Sequence, residues 1–289
     1  MTEAQPSHLE VVQGIDALGR EQGRLFVVIG VFDGLHLGHS YLLRHLQAAA
    51  RSHGARPAVI TFDHHPDEIL LGAAPPLLCD LDERLELLAN TGVEVTVVQT
   101  FDAALRMTSF EDFVQRIADR IDLAGFLMTP DAAFGHERRG TAETVAKLGR
   151  SLGYDVVVVP PMDLGGHPVR SAEIRAAIAA GNLSDASAML GRRYAVTGLV
   201  DPVRGPTMVV RFRMPVALPP PGEYPVLASW DLDRPTVRGA VAVSVVVRAD
   251  GIIELPSDSV DGGLSHMRLT FDDRSAELMT GARAAQRAR

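Results

Sequence analysis

Three glycines and two histidines stand close together within residues 30–39, which read G-V-F-D-G-L-H-L-G-H. An apolar, β-branched run at 25–31 precedes this stretch, and an amphipathic helical pattern follows it at 41–50. Gly34 and Gly38 permit a tight turn and a close approach of the backbone to a ligand. Because the first N–H groups of a helix attract anions, the junction predicts a phosphate-binding turn at the end of a buried strand.

His36 and His39 are three residues apart in this turn, so both rings can project from the same side of the new helix. An imidazole N–H donates hydrogen bonds to phosphoryl oxygens, which stabilises charge that develops on a phosphate during a transfer reaction. The alternative is that the two histidines only cap the helix or bind a stray metal ion. The complete pattern at a strand-to-helix junction favours phosphate chemistry.

The composition excludes several other classes of protein. The chain has 289 residues and one lysine, Lys147, which is followed by Leu148 rather than by the serine or threonine of a P-loop. Its formal net charge is −8 and it contains no basic block, which argues against a nucleic-acid partner. Cys79 is the single cysteine, so an intramolecular disulfide and a Cys-based zinc site are excluded.

The start of the sequence, residues 1–14, lacks the charged and apolar regions of a signal peptide. No stretch approaches the ~20 consecutive apolar residues of a membrane span. We therefore expect a soluble, cytoplasmic protein with no membrane partner, and a single cysteine suits that reducing compartment.

Short apolar runs alternate with helical patterns over the first 190 residues. This alternation predicts an α/β fold with a parallel sheet and helices on both of its faces. The predicted strands cover residues 25–31, 58–62, 93–98, 123–128 and 155–159. The predicted helices cover residues 41–50, 81–90, 141–152, 172–180 and 184–190, and one more helix begins at Ser109 with Asp112 completing a capping box.

The pattern changes after Tyr194, where prolines become frequent and the apolar runs become short. Regularly spaced short strands with turn signals between them indicate a small antiparallel barrel or sandwich. The predicted strands cover residues 207–212, 237–247, 251–255 and 266–271, and a short helix is expected from Ser275 onward.

Residues 30–39 resemble the first nucleotide motif of the HxGH nucleotidylyltransferases, and most closely the FAD synthetase module of the bifunctional bacterial riboflavin kinase/FAD synthetases. Other segments similar to this family lie at 59–66, 82–88, 108–113, 131–135 and 190–194. The resemblance implies transfer of AMP from ATP to FMN, with Mg²⁺, to give FAD and pyrophosphate. It also implies a Rossmann-like nucleotidylyltransferase domain over residues 1–190 and a riboflavin kinase-like antiparallel β-barrel domain over residues 191–289.

The same resemblance implies a set of site residues. The catalytic residues would be His36, His39 and Arg175. The nucleotide-binding residues would be Gly30, Phe32, Asp33, Gly34, Gly38, Asp131, Arg170 and Ser171, and the flavin-binding residues would be Phe62, His65 and Pro66. No metal-ligating side chain is expected, because neither a cysteine nor a carboxylate cluster supports His64 and His65 as a metal pair.

A first departure from the family pattern lies in the segment that closes the site. The family has I-S-S-T-x-I-R, whereas residues 169–175 read V-R-S-A-E-I-R, so that Arg170 replaces a serine and Ala172 a threonine. Ala132 also stands where the family has an aromatic residue. These changes leave two alternatives open: an enzyme that uses another phosphorylated acceptor, and a non-catalytic regulator that binds flavin or nucleotide.

A second departure lies in the C-terminal part. The riboflavin kinase module carries the sequence P-T-A-N, whose threonine and asparagine bind Mg-ATP. Those positions fall on residues 211–214, which read R-F-R-M and offer no suitable metal ligand. We therefore predict a barrel that has lost kinase activity.

Overall fold

A computed structural model of the protein describes residues 9–201, 207–230, 240–256 and 266–271. The described residues form two compact units, one within Met1–Pro75 and Leu81–Val169 and the other within Pro76–Asp80 and Arg170–Arg289. The family resemblance divides the chain into a nucleotidylyltransferase domain at 1–190 and a barrel domain at 191–289. This division by function stays a prediction.

The first unit consists of short strands and six α-helices among its described residues. Its strands are β1 (Glu10–Gln13), β2 (Arg24–Ile29), β3 (Arg56–Phe62), β4 (Val95–Gln99), β5 (Asp122–Met128), β6 (Ala133–Phe134), β7 (Gly140–Thr141), β8 (Asp155–Val158), β9 (Asp163–Leu164) and β10 (His167–Pro168). Its helices are α1 (Leu37–Ser52), α2 (Pro66–Leu71), α3 (Leu81–Ala89), α4 (Ala103–Met107), α5 (Phe110–Ala118) and α6 (Ala142–Leu152). Short 3₁₀ helices of one turn each lie at Ile15–Ala17, Arg20–Gln22 and His136–Arg138.

Six of these strands form one parallel sheet in the order β1-β4-β3-β2-β5-β8. The chain runs from β2 through β3 to β4 in one direction and then returns to place β5 on the other side of β2. The strand order therefore reverses between β2 and β5, and in open sheets of this kind ligands bind outside the carboxyl ends of the strands at that point. This arrangement confirms the predicted parallel α/β sheet.

The side chains of β2 alternate between two core clusters, one on each face of the sheet. Leu25 and Val27 pack in a cluster with residues of α5 and α6, whereas Phe26 and Val28 pack in a cluster with residues of α1 and α3. Burial on both faces explains why the strand reads as a continuous apolar run. The predicted helix cap is also present, because the Ser109 Oγ accepts the N–H of Asp112 at 3.0 Å.

Among its described residues, the second unit has two helices and a closed antiparallel barrel. Its elements are α7 (Ser171–Ala179), α8 (Leu183–Leu190), β11 (Ala195–Val200), β12 (Thr207–Arg211), β13 (Gly222–Ser229), β14 (Val241–Val247), β15 (Ile253–Pro256) and β16 (His266–Phe271). The barrel order is β11-β12-β15-β14-β13-β16, which confirms a barrel rather than a sandwich. Fully buried side chains fill its interior, among them Val210, Val226, Val245, Ile253 and Met267.

Two predictions for the C-terminal part fall on residues that the structure does not describe. The first is the beginning of the predicted strand at 237–247, of which residues 241–247 are β14. The second is the helix expected from Ser275 onward. Within the described part of the chain, no helix is both long and apolar enough to cross a membrane.

Candidate active site

The turn between β2 and α1 is held by short contacts to the neighbouring strand β3. The buried Thr61 Oγ1 donates to the Val31 carbonyl at 2.9 Å, and the N–H of Gly30 donates to the Ile60 carbonyl at 3.0 Å. Gly34 has a φ of 76°, a value that favours glycine. Phe32 also has a positive φ, of 53°, although its side chain is buried. Strained backbone of this kind persists only where the surrounding structure enforces it, and it concentrates at functional sites.

His36 is the N-cap residue of α1. Its Nδ1 accepts the backbone N–H of His39 at 3.3 Å, and its ring is buried. Because Nδ1 accepts a hydrogen bond, the proton of the neutral ring is on Nε2, which is then a donor. The rings of His36 and His39 are stacked, with centroids 3.7 Å apart and an interplanar angle of 19°. The structure therefore brings the two predicted histidines together at the helix start.

His39 is buried in the turn, with its ring 5.0 Å from the ring of Phe32. Burial lowers the pKa of His39 well below its ordinary value, and electrostatic interaction with His36 and Arg84 lowers it further. The ring is therefore neutral under ordinary conditions and carries one N–H donor. Its Nδ1 is buried and has no hydrogen-bond partner among the residues that the structure describes.

Gly38 has a steric role in this turn. A Cβ atom at position 38 would lie 2.7 Å from the carbonyl oxygen of Val169 and 3.1 Å from the ring of His36. Any larger residue would therefore push the His36 ring out of place. Asp33, another predicted residue of the turn, is also almost completely buried, at 1% exposure.

A cavity of about 570 Å³ opens at the carboxyl ends of β2, β3 and β5, where the strand order reverses. Four of the predicted site residues line it, namely Gly30, Phe62, His65 and Pro66. Five phenylalanines from separate segments form most of its aromatic wall: Phe62, Phe101, Phe113, Phe126 and Phe134. The rings of Phe62 and Phe101 meet edge to face, with centroids 5.5 Å apart.

His65 is the N-cap residue of α2, and its Nδ1 accepts the N–H of Asp67 at 3.2 Å. The neighbouring His64 pairs with Asp63 at 3.2 Å instead of joining His65. In the described ranges there is no group of three His, Cys, Asp or Glu side chains that could hold a metal ion.

Asp131 follows β5 and is tied into its own loop. Its Oδ1 accepts the Thr129 hydroxyl at 2.7 Å, and its carbonyl accepts the guanidinium of Arg138 at 3.2 Å. Arg138 lines the cavity, and it has a positive φ of 55°. The loop after β5 thus places a fixed guanidinium at the cavity wall.

Arg84 was not among the site residues expected from the sequence. It is 2% exposed, and its Nη1 donates to the Phe62 carbonyl at 2.8 Å and to the Thr61 Oγ1 at 3.2 Å. Both acceptors lie at the carboxyl end of β3. The available signal was an arginine three residues after the first residue of an amphipathic helix, a position that here lies on the buried side of α3.

Three predicted site residues belong to the second unit. Arg170 is the N-cap residue of α7, and Ser171 is the first residue of this helix. Arg175 donates through Nε to the carbonyl of Pro76 at 2.8 Å. A role for these residues in binding phosphate stays a prediction.

The positions that correspond to P-T-A-N begin at the end of β12. Arg211 forms an ion pair with Asp201 at 2.6 Å, and Phe212 packs against the core of the second unit. The backbone of Arg211 is held by pairing with Leu199 of β11. Arg211 and Phe212 therefore contribute an ion pair, strand pairing and core packing to the second unit.

Comparisons with known proteins agree with this arrangement. A family model described as FAD synthetase matches residues 19–173, which is more than half of the chain. The bifunctional riboflavin kinase/FMN adenylyltransferase of Pseudomonas fluorescens is 28% identical over 291 residues, covering 93% of this chain and 92% of the relative. The protein of the same description from Escherichia coli K12 is 30% identical over 195 residues, covering 66% of this chain and 62% of the relative.

The fold is similar to a crystal structure of a macrolide-efflux protein from Streptococcus pneumoniae. The TM-score is 0.74 at 21% identity, and the match covers 97% of this chain and 98% of that chain. At this identity the likeness shows the fold alone. The family match and the geometry of the turn lead to one conclusion: the chain belongs to the FAD synthetase family.

Proposed function

We propose that the protein is an FMN adenylyltransferase, which transfers AMP from ATP to FMN and releases FAD and pyrophosphate. The observation that carries this proposal is the stacked His36 and His39 pair at the start of α1, together with an aromatic cavity at the carboxyl ends of the adjoining strands. The histidine pair at the helix start suits a polyphosphate, and the aromatic cavity suits a flat aromatic ring.

The cavity supports flavin as the acceptor. Its volume of about 570 Å³ lies in the range of small-molecule sites, which is roughly 300–1,000 Å³. Aromatic rings prefer edge-to-face or offset contacts with one another, and five phenylalanines supply such surfaces. The isoalloxazine ring would lie here, with its ribityl phosphate directed toward the α1 turn.

The reaction then needs positioning and charge stabilisation more than a covalent nucleophile. An oxygen of the FMN phosphate attacks the α-phosphorus of ATP, a new P–O bond forms, and the bond to the β-phosphate oxygen breaks as pyrophosphate leaves. His36 donates through Nε2, His39 donates as a neutral ring, and the α1 amides face the same charge. These donors act most strongly on the charge of the transition state.

Mg²⁺ enters this proposal with the substrate, as MgATP. Magnesium usually keeps several waters and binds through substrate phosphates with one or two carboxylates.

Arg170, Ser171 and Arg175 would add phosphate donors in this scheme. A guanidinium makes charge-assisted hydrogen bonds to phosphate, which are stronger than those of a hydroxyl. Arg170 in place of a serine would therefore offset the hydroxyl that is missing at Ala172.

The proposal also includes the loss of riboflavin kinase activity. Its support is that residues 211–214 read R-F-R-M and that Arg211 is paired with Asp201. Cytoplasmic location, expected from the sequence, remains a prediction as well.

One assay tests both parts of the proposal. The purified protein is incubated with MgATP and either FMN or riboflavin, and the flavins are separated by chromatography. We expect FAD from FMN and no FMN from riboflavin. Absence of FAD would overturn the adenylyl-transfer proposal, and FMN formed from riboflavin would overturn the loss of kinase activity.

A second candidate function is favoured by Ala132, a small residue in the wall of the cavity. The space beside it would admit a phosphorylated acceptor whose ring system differs from that of FMN. Pyrophosphate release with other phosphorylated acceptors, and none with FMN, would support this candidate. Binding of ATP and FMN by calorimetry without any turnover would instead indicate a non-catalytic regulator.

A further inference from the structure

Arg84 is a buried cation that the reaction scheme above does not use. It is 2% exposed, and it forms no ion pair with a carboxylate within the described part of the chain. A buried charge without a counter-ion is costly, because it loses its hydration without a compensating opposite charge. Such a charge lowers the energy of an anion that binds nearby.

The hydrogen bonds of Arg84 connect α3 with the phosphate-binding turn. Its Nη1 donates to the Thr61 Oγ1 at 3.2 Å, and the same hydroxyl donates to the Val31 carbonyl at 2.9 Å. Its Nη1 also holds the Phe62 carbonyl at 2.8 Å, beside the aromatic cavity. Arg84 therefore fixes two parts of the site: the turn after β2 and the cavity wall after β3.

The charge of Arg84 also reaches the histidine pair. The charged and titratable groups that act on His39 are His36 from the same turn and Arg84 from α3. Both add to the effect of burial in lowering the pKa of His39, which keeps its ring neutral. The Nε of Arg84 is buried without a hydrogen-bond acceptor among the described residues, so its charge is incompletely satisfied by the protein.

We propose that Arg84 is a positioning residue for nucleotidyl transfer: it holds the phosphate-binding turn through Thr61, and its fixed positive charge near His39 favours polyphosphate. This inference rests on the proposed function for its substrate. It separates two contributions, the hydrogen bonds of the guanidinium and its charge, which different substitutions remove.

The test compares Arg84→Met and Arg84→Lys with the wild type, and Arg51→Met, an exposed arginine near the end of α1, serves as the control. The measurements are kcat and KM for ATP and FMN between about pH 5.5 and 9. Arg84→Met is expected to raise KM for ATP and lower kcat, with kcat/KM for ATP falling on the order of tenfold to a hundredfold. KM for FMN should change much less.

The pH profile distinguishes charge from structure. Removing the positive charge lets His39 take up a proton at a higher pH, so the acid limb of kcat/KM should move upward in Arg84→Met. Arg84→Lys keeps the charge, and its acid limb should stay in place while kcat falls because the two hydrogen bonds are not both replaced. The proposal would be overturned if Arg84→Met had the same acid limb and the same KM for ATP as the wild type and differed only in a lower melting temperature.

Two further measurements keep the result interpretable. If Arg84→Met does not fold, Thr61→Val takes its place, because it removes the hydrogen-bond connection from Arg84 to the Val31 carbonyl and keeps the charge of Arg84. The kcat of Thr61→Val should fall without a shift of the acid limb. An unchanged kcat would overturn the proposal. Binding of pyrophosphate by calorimetry needs no FMN. Wild type that forms no FAD would refute the proposed function, whereas weaker pyrophosphate binding by Arg84→Met than by Arg51→Met would still support Arg84.

Discussion

At the residue scale, His36 caps helix α1, and the proposed function adds phosphate binding by the same ring. Its Nδ1 accepts the N–H of His39, so the ring closes the first turn of α1 and at the same time holds its proton on Nε2. Capping by His36 is therefore compatible with the phosphate-binding role that the proposed function gives to the same ring.

Replacing His36 separates these uses. His36→Asn keeps a good N-cap, whereas His36→Ala removes it and should cost ~1 kcal/mol of unfolding free energy. Both variants should lower FAD formation by about 10²- to 10³-fold, because both remove an imidazole donor. Urea unfolding and the FAD assay measure the two effects; full activity in His36→Asn would show that the ring serves only as a cap.

Ala132 offers a residue-scale test of the cavity. Ala132→Trp should fill the space beside the phenylalanines and raise KM for FMN on the order of tenfold, with KM for ATP unchanged. Steady-state kinetics with each substrate varied in turn measures this. Ala48→Trp on the exposed side of α1 is the matched control. Equal effects on the two substrates would argue against flavin in this cavity.

At the element scale, the short β6–β7 pair is packed against the start of α5. Gly135 has a φ of 75°, and a Cβ atom there would lie 2.5 Å from the Phe110 nitrogen. A Cβ atom at Gly140 would lie 2.7 Å from the Phe110 Cβ. The two glycines thus let this loop approach the helix and hold Phe134 in the cavity wall.

A pair of glycine substitutions tests this packing. Gly153, at the end of α6, has a similar φ of 81°, but a Cβ atom there would meet no other atom within 4 Å. Gly153→Ala therefore measures backbone strain alone, about 1 kcal/mol. Gly135→Ala adds a steric clash and should cost about 1–3 kcal/mol more. Urea unfolding of both variants gives the difference; equal losses would mean that the loop moves away from α5 at no cost.

At the scale of the whole molecule, the chain passes between its two units more than once. Pro76–Asp80 belongs to the second unit, although the segments on both sides of it belong to the first. Leu77 donates to the Pro215 carbonyl at 2.8 Å and accepts the N–H of Ala217 at 2.8 Å. Leu78 is 2% exposed in the core of the second unit.

This connection predicts an effect on the second unit from a residue far from it in the sequence. Leu78→Ala should destabilise that unit by about 2–5 kcal/mol, because it leaves a cavity in the core. Faster hydrogen exchange of the barrel amides would show it. Leu71→Ala, at a position that is 76% exposed, should leave exchange unchanged. Unchanged barrel exchange in Leu78→Ala would contradict the prediction.

The buried His39 predicts how stability depends on pH. Its pKa is lower in the folded state than in the unfolded state, so below about pH 6.5 the unfolded chain binds a proton that the folded chain does not. The free energy of unfolding should therefore fall as the pH falls, by at most about 1.4 kcal/mol per pH unit from this group. His39→Gln should flatten the slope, and Ala48→Gln, exposed on the same helix, should not. Equal slopes in all three proteins would contradict this.

Local sequence determined many of the elements, and it determined the histidine turn. The helix cap at Ser109, the apolar run of β2 and the glycines of the turn depend on neighbours within a few residues, and periodicity reports such contacts directly. The pattern does not predict β1 or β11. β1 has only four residues and pairs with one strand at the sheet edge, and β11 contains a glycine packed tightly against Val210.

Tertiary structure alone decided which distant residues meet. The cavity joins Phe62, Phe101 and Phe134 from separate segments, and Arg84 reaches Thr61 across 23 positions of sequence. Leu78 enters the core of the other unit, which no local pattern records. Periodicity predicts that a side chain is buried, but the residue it contacts depends on the order of the strands and on the course of the connecting loops. The sequence thus determined the histidine turn from which phosphate chemistry is predicted, and the fold decided the cavity and the Arg84 cation placed beside it.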